Sequence, residues 1–176
     1  MNKIQKYSIG AALALFYYLA YSGNLSHIIA YHEQHHLFLF TEAYFEQQVQ
    51  SEGFFSYLTD FIIQFFYYPA LGSALLALLL ASVYLMTSNV IRYLFGKEDL
   101  LYLSVIPSLA LFYHTMEASH TLVPITISVL ILAFLNLMLW ITRSHMPLIP
   151  LFKNFHIQKK SIRIGITAVA LLFYAG

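Results

Sequence analysis

Cysteine is absent from the 176 residues, and charged side chains make up only 10% of them. Without cysteine, disulfide bonds, thiolate metal sites and a cysteine nucleophile are excluded. A soluble domain carries about 25% charged residues, so this chain lacks the polar surface that would cover it in water. The net charge of +1 leaves no basic footprint for nucleic acid. Hydrophobic residues, at 60%, indicate instead that a lipid bilayer surrounds the protein.

Long apolar runs indicate how the chain would use a bilayer. A helix of about 20 residues crosses the hydrocarbon core, and four runs approach that length. We therefore predict an all-α integral membrane protein with four complete transmembrane helices and the start of a fifth, in a single domain. The spans are predicted at about 8–30, 69–90, 100–116, 122–142 and 162–176. Because the fifth is too short, we expect the chain to be the amino-terminal part of a longer protein, or a shortened form of one.

The lysines and arginines predict the orientation. If alternate loops lie on opposite sides, all nine cationic residues fall on one side and none on the other. The positive-inside rule makes that side cytoplasmic, so we predict a multi-pass protein of the bacterial inner membrane with a cytoplasmic amino terminus. The alternative is a cleaved signal peptide with Lys3 and Lys6 in its basic region. The orientation of the later spans is the same in both interpretations.

Residues 31–68 are predicted to form an external loop with one or two interfacial helices. Its apolar residues recur at helical spacing in two pieces, separated by Ser51-Glu52-Gly53. Amphipathic helices of this kind lie in the membrane surface. The alternative is a single long span that begins near Phe61 and is kinked at Pro69. Small residues at four-residue spacing in the second predicted span indicate close packing of helices within the bundle.

Histidines are concentrated at the predicted external side. His32 and His36 share a helical face, and His114, Glu117 and His120 follow one another at i, i+3 spacing. Nitrogen and carboxylate donors at one end of a bundle suit a Zn-like or Fe-like ion. We therefore name these five residues as candidate ligands of a divalent metal ion. The alternative is that they are interfacial polar residues bonded to water and lipid headgroups.

Two acids are the candidate catalytic residues. Glu33 follows the first predicted span and precedes an interfacial helix, where partial desolvation makes a carboxylate a better proton acceptor. Asp60, on the polar face of the second interfacial helix, is the second candidate. The alternative is that both are surface acids without a catalytic role.

Two aromatic stretches resemble a family of uncharacterised bacterial polytopic membrane proteins, which adds no catalytic residues. These stretches are Tyr31-His32-Glu33-Gln34 with Leu37-Phe38-Leu39-Phe40, and Gln64-Phe65-Phe66-Tyr67-Tyr68-Pro69. The layout also resembles the polytopic C-fold glycosyltransferases, in which an acid follows the first span and a long external loop holds interfacial helices. This resemblance implies transfer from a lipid-phosphate donor at the external face, with Glu33 at the position of the acid. The alternative function is a non-catalytic transport or assembly subunit that binds other membrane subunits.

Overall fold

A computed structural model describes residues 3–36, 38–95 and 102–143, which contain helices and turns and no β-strand. The predicted all-α class is therefore correct for these residues. Two compact units make up the chain, Met1–Leu137 and Met138–Gly176, and only the end of the last helix is described in the second unit. Seven α-helices follow in order: α1 Lys3–Ser22, α2 Ser26–His35, α3 Glu42–Ser51, α4 Phe54–Ile63, α5 Pro69–Phe95, α6 Val105–His114 and α7 Val123–Arg143.

Among the described residues, two helices are long and apolar enough to cross a membrane, over Pro69–Phe95 and Val123–Ile141. The prediction of four complete transmembrane helices is therefore wrong. α6 has ten residues, or about 15 Å of helix, which is half of the roughly 30 Å hydrocarbon core. α1 has 20 residues, but two lysines and four tyrosines make it too polar. The predicted fifth span, 162–176, lies outside the described residues.

The first predicted span, 8–30, contains a turn between α1 and α2. The Gly23 N–H donates to the Leu19 carbonyl at 3.1 Å, and the Leu25 N–H donates to the Ala20 carbonyl at 2.9 Å. The second bond reaches back five residues, which is typical of a helix end. Serine, glycine and asparagine at this point are weaker helix formers than the residues around them. An apolar run in the sequence is therefore not one helix in the structure.

The two helical pieces predicted in the loop 31–68 are present as α3 and α4. Gly53 separates them with a φ of 91°, a conformation that glycine adopts without strain. After α4, a 3-10 turn at Gln64–Tyr67 and the extended residue Tyr68 precede α5. α4 and α5 are therefore separate helices, and the alternative of one long helix kinked at Pro69 is wrong.

α4 turns polar residues towards the protein and exposes two large apolar ones, which is the opposite of the arrangement in a helix of a soluble protein. Ser56, Thr59 and Asp60 are buried against the protein, whereas Phe54 and Phe55 are exposed. Water would disfavour an outward apolar face of this kind, and lipid would not. The arrangement agrees with an interfacial position for α4, which stays a prediction.

α1 and α5 run antiparallel in close contact. The Lys6 ammonium near the start of α1 donates to the Asn89 side chain near the end of α5. A Cβ atom on Gly10 would lie 2.9 Å from the Leu85 side chain, so glycine allows the helices to approach here. The small residues Ser73, Ala77 and Ala81 of α5 are buried, in agreement with the packing face that the sequence predicts.

Aromatic and aliphatic side chains from α1, α2, α4, α5, α7 and the 3-10 turn form one buried core. Two hydroxyl pairs also connect neighbouring helices: the Tyr17 phenol lies 2.8 Å from the Ser108 hydroxyl of α6, and Thr59 of α4 donates to Thr126 of α7 at 2.9 Å. The core therefore holds α2 through Ile28 and Ile29, and α4 through Ile63 and the bond of Thr59. The largest fully buried members of the core are Tyr17, Tyr21, Phe66, Ile28, Ile29, Ile63, Leu76, Leu80 and Ile125.

Candidate functional site

Asp60 is the centre of a buried polar network that joins the end of α2 to α3 and α4. Its side chain is 4% exposed. Oδ1 accepts a hydrogen bond from His36 Nδ1 at 3.0 Å. Oδ2 accepts from Gln48 Nε2 at 2.9 Å and from the Tyr44 hydroxyl at 3.4 Å. Both carboxylate oxygens therefore have donors, which is what the burial of a carboxylate requires.

The charge on Asp60 affects both of its aromatic neighbours. Its hydrogen bond raises the pKa of His36 above the ordinary value, and burial of the ring opposes this effect. Burial and then the Asp60 charge raise the pKa of Tyr44 to about 12, so the phenol keeps its proton and remains a donor. When the His36 ring is neutral and donates its Nδ1–H to Asp60, its free lone pair is on Nε2.

A second carboxylate extends the network between α3 and α4. Glu52 Oε2 accepts from Gln48 Nε2 at 2.9 Å and from the Ser56 hydroxyl at 2.7 Å. None of the residues of α3 is buried. α3 is therefore held by these polar bonds together with an aromatic cluster, in which ring centroids lie 4.9 to 6.2 Å apart. The members of the cluster are Phe38, Tyr44, Phe45 and Tyr57.

Glu33, the first candidate base, differs from Asp60 in its surroundings. It lies in the last turns of α2, three residues before His36, and is half-buried. Its carboxylate has no hydrogen bond or ion pair with any other described residue. The two candidate acids therefore differ as proton acceptors. The Glu33 carboxylate is available to accept a proton from a substrate, whereas both oxygens of Asp60 already accept hydrogen bonds.

The side chain of His32 is buried at the end of α2. It is 2% exposed, and neither ring nitrogen has a hydrogen-bond partner in the described part of the chain. Burial, with smaller effects from His36 and His35, lowers the pKa of His32 to about 4. The ring is therefore neutral at physiological pH and carries a lone pair. Its centroid lies 5.6 Å from that of His36, with 35° between the ring planes.

The other predicted metal ligands form a separate group after α6. The rings of His114 and His120 stack at 4.6 Å. His120 uses both nitrogens, one with the His114 carbonyl at 2.9 Å and one with Glu117 at 3.4 Å. In residues 3–36, 38–95 and 102–143, no three His, Asp or Glu side chains are arranged to hold a metal ion. Joint binding by all five residues stays a prediction.

The sequence indicates His36 and Asp60 as separate candidates and does not predict that they form a pair. Twenty-four residues separate them, and a turn and the whole of α3 intervene. Gln48, Glu52 and Ser56 were not predicted at all. The signal that could have found them is a polar side chain at every fourth position from α3 into α4, across Gly53. These positions are Tyr44, Gln48, Glu52, Ser56 and Asp60.

A family model described as a family of unknown function (DUF6057) matches residues 2–176. The chain belongs to this family. The predicted resemblance to a family of uncharacterised function is therefore confirmed, and the match extends beyond the two aromatic stretches on which the resemblance depends. No curated protein and no solved structure matches the chain.

Proposed function

We propose that this protein is a membrane-bound group-transfer enzyme that moves a sugar or similar group from a lipid-phosphate donor to a hydroxyl acceptor. The site is the end of α2, with Glu33 as the general base. The hydrogen bond between Asp60 and His36 carries this proposal, because it fixes the turn on which Glu33 lies. Asp60, whose two oxygens already have donors, is a positioning residue that acts through His36.

In the proposed reaction, Glu33 takes the proton of the acceptor hydroxyl while the acceptor oxygen attacks the carbon that bears the phosphate. The bond between this carbon and the phosphate oxygen breaks, and the lipid phosphate leaves with the electron pair. Glu33 later releases its proton to water. A leaving phosphate needs a cation, yet residues 7–91 contain no lysine or arginine. A divalent metal ion would supply that charge.

The location that we propose is a bacterial inner membrane, crossed by α5 and α7. These helices run in the same direction, since Ile125 early in α7 packs in the core with Leu76 of α5, and Asn136 further along α7 donates to the Met86 carbonyl of α5 at 3.2 Å. Both have an arginine in the last turn, Arg92 and Arg143, which favours a cytoplasmic position for these ends. Because α1 packs antiparallel along α5, the Lys6 end of α1 then lies towards the cytoplasmic end of α5, and α2–α4 lie towards the external end.

Single cysteines test this orientation directly, because the chain contains none. Ser51→Cys on α3 and Ile4→Cys on α1 both replace exposed residues. We expect a membrane-impermeant maleimide to label Ser51→Cys in spheroplasts and to label Ile4→Cys only after lysis. The opposite pattern would reverse the orientation and place the proposed site in the cytoplasm.

Transfer is tested with the purified chain in vesicles that contain a radiolabelled polyprenyl-phosphate sugar and a hydroxyl acceptor. A general base contributes about 10²- to 10⁴-fold to a rate, so Glu33→Gln is expected to lose at least 100-fold. Glu46→Gln, which changes an exposed acid of α3, is the matched control and should keep the wild-type rate. Full activity in Glu33→Gln, or no transfer by the wild type, would contradict the proposal.

The alternative of a non-catalytic assembly subunit loses one of its two supports. That alternative is favoured by the absence of a strong catalytic motif from the sequence and by the small-residue face of α5 as a surface for partner helices. Ser73, Ala77 and Ala81 on this face are buried within the chain itself. The face is therefore occupied, and we prefer the enzymatic proposal.

A further inference from the structure

The end of α2 has the residue spacing of a helical metal site. Residues 32–36 read His-Glu-Gln-His-His, and the two outer histidines of a His-Glu-x-x-His string on a helix lie on one face with a glutamate between them. The His36 N–H donates to the His32 carbonyl at 3.1 Å and closes the last turn of α2, and His36 itself is the extended residue that caps the helix. The motif alone is a short match, and the surroundings of the two rings distinguish a metal site from a chance match.

The imidazole of His32 is a buried polar group whose nitrogens make no hydrogen bond to the described residues. Both ring nitrogens are buried and without hydrogen bonds to the described residues, whereas buried polar atoms in folded proteins almost always have a partner, including water or an ion. A neutral imidazole nitrogen is a good ligand for zinc and similar ions.

His36 has the second feature of a metal ligand. Ligating histidines almost always donate their other ring N–H to a carboxylate or carbonyl group, which fixes the tautomer and the ring orientation. His36 Nδ1 makes this bond to Asp60 at 3.0 Å, and Asp60 is held in turn by Gln48 at 2.9 Å. Nε2 of His36 is then the nitrogen that can bind a metal.

The distance between the rings agrees with a shared ion. With a Zn–N bond of about 2.1 Å and about 1.15 Å from nitrogen to ring centre, two rings at a tetrahedral ion have centroids about 5.3 Å apart. The centroids of His32 and His36 lie 5.6 Å apart. The two centroid distances therefore differ by about 0.3 Å.

We propose that His32 and His36 bind a transition-metal ion such as Zn²⁺ through one ring nitrogen each, with Asp60 as the carboxylate that orients His36. In the described part of the chain no third side chain completes the site, so water or the substrate takes the other positions, as in catalytic rather than structural zinc sites. A role of the ion in neutralising a donor phosphate rests on the function proposed above, whereas the proposal that the site binds a metal ion is independent of that function.

The test is a titration of the metal-free, detergent-purified chain with Co²⁺, read from its visible absorption, followed by displacement with Zn²⁺. We expect one ion per chain. His32→Phe and His36→Phe should each weaken binding at least 100-fold, and Asp60→Asn should weaken it about 10- to 100-fold. His27→Phe, at an exposed histidine on the same helix, is the matched control and should bind as the wild type does. The proposal would be overturned if the wild type bound no Co²⁺, or if His32→Phe and His36→Phe bound Co²⁺ with the affinity of the wild type.

A second measurement does not need a folded variant. X-ray absorption of the Zn²⁺-loaded wild type should show two imidazole ligands in the first coordination shell, and a shell of oxygen alone would overturn the proposal. The two proposals fail separately. Glu33→Gln should keep the Co²⁺ affinity within about twofold while transfer is lost, whereas a chain that transfers without binding metal would refute the metal site alone.

Discussion

The bond between Gln48 and Asp60 should decide whether α3 remains attached to the protein. α3 buries none of its own residues, and its closest polar contact with α4 is Gln48 Nε2 to Asp60 Oδ2 at 2.9 Å. A hydrogen bond to a charged group contributes about 1.5–3 kcal/mol. Since Gln48 is only half-buried, we take about 2 kcal/mol, which corresponds to roughly 30-fold in an opening equilibrium.

Amide hydrogen exchange of α3 measures this opening. Gln48→Ala should increase exchange in α3 by roughly 30-fold, and Asp60→Ala by at least as much, because it also removes the acceptor of the Tyr44 hydroxyl. The double variant should add little to Asp60→Ala, because that variant already lacks the bond that Gln48→Ala removes. Glu46→Ala, an exposed change within α3, is the control and should stay within about threefold of the wild type. Unchanged exchange in Asp60→Ala, or additive effects in the double variant, would refute the reasoning.

Two further predictions concern packing and charge. Gly72→Ala should destabilise the protein by about 1–3 kcal/mol, because the new Cβ would lie 3.0 Å from the Cα of Phe66. Gly10→Ala should be nearly neutral, because its new Cβ meets the flexible end of the Leu85 side chain. Equal melting temperatures of the two variants would contradict this prediction. Burial, aided by Arg92, lowers the pKa of Lys6 from 10.5 to about 8. The unfolded chain then holds a proton between these pH values that the folded chain lacks, so wild-type stability should rise with pH over this window, by about 3 kcal/mol relative to Lys6→Met. Thermal unfolding of the wild type and of Lys6→Met at pH 7 and pH 11 measures this change. The same stability difference between the two proteins at both pH values would contradict the prediction.

Periodicity in the sequence predicted the positions of helices well and their roles less well. The starts of α5 and α7, at Pro69 and Val123, lie within one residue of the predicted spans, because a proline and a long apolar run are local signals. The turn at Gly23 was missed because the apolar composition continues across it. The count of four complete spans was wrong because composition does not reveal where the backbone leaves the helix.

In the candidate site, too, the sequence indicates the residues but not the contacts that tertiary packing gives them. His36 and Asp60 could be named from the sequence as residues with chemical potential, but their bond depends on the way α3 folds back between them. The lack of partners for His32 likewise depends on tertiary packing, since the sequence places it beside polar neighbours that turn out not to contact its nitrogens. No local feature of the sequence distinguishes Asp60, whose two oxygens accept hydrogen bonds, from Glu33, whose carboxylate has no such bond with the described residues.

The central claim is that substrate binds at the end of α2. The most direct test is photo-crosslinking of the wild-type chain in vesicles with a lipid-phosphate sugar that carries a photoreactive group on the sugar. The account predicts that peptide mapping finds the label on residues 31–36 or on α4, and that excess unlabelled donor removes it. Labelling confined to the opposite ends of α1 and α5, around Lys6 and Arg92, would contradict the account, because the donor phosphate would then be bound by cations far from Glu33.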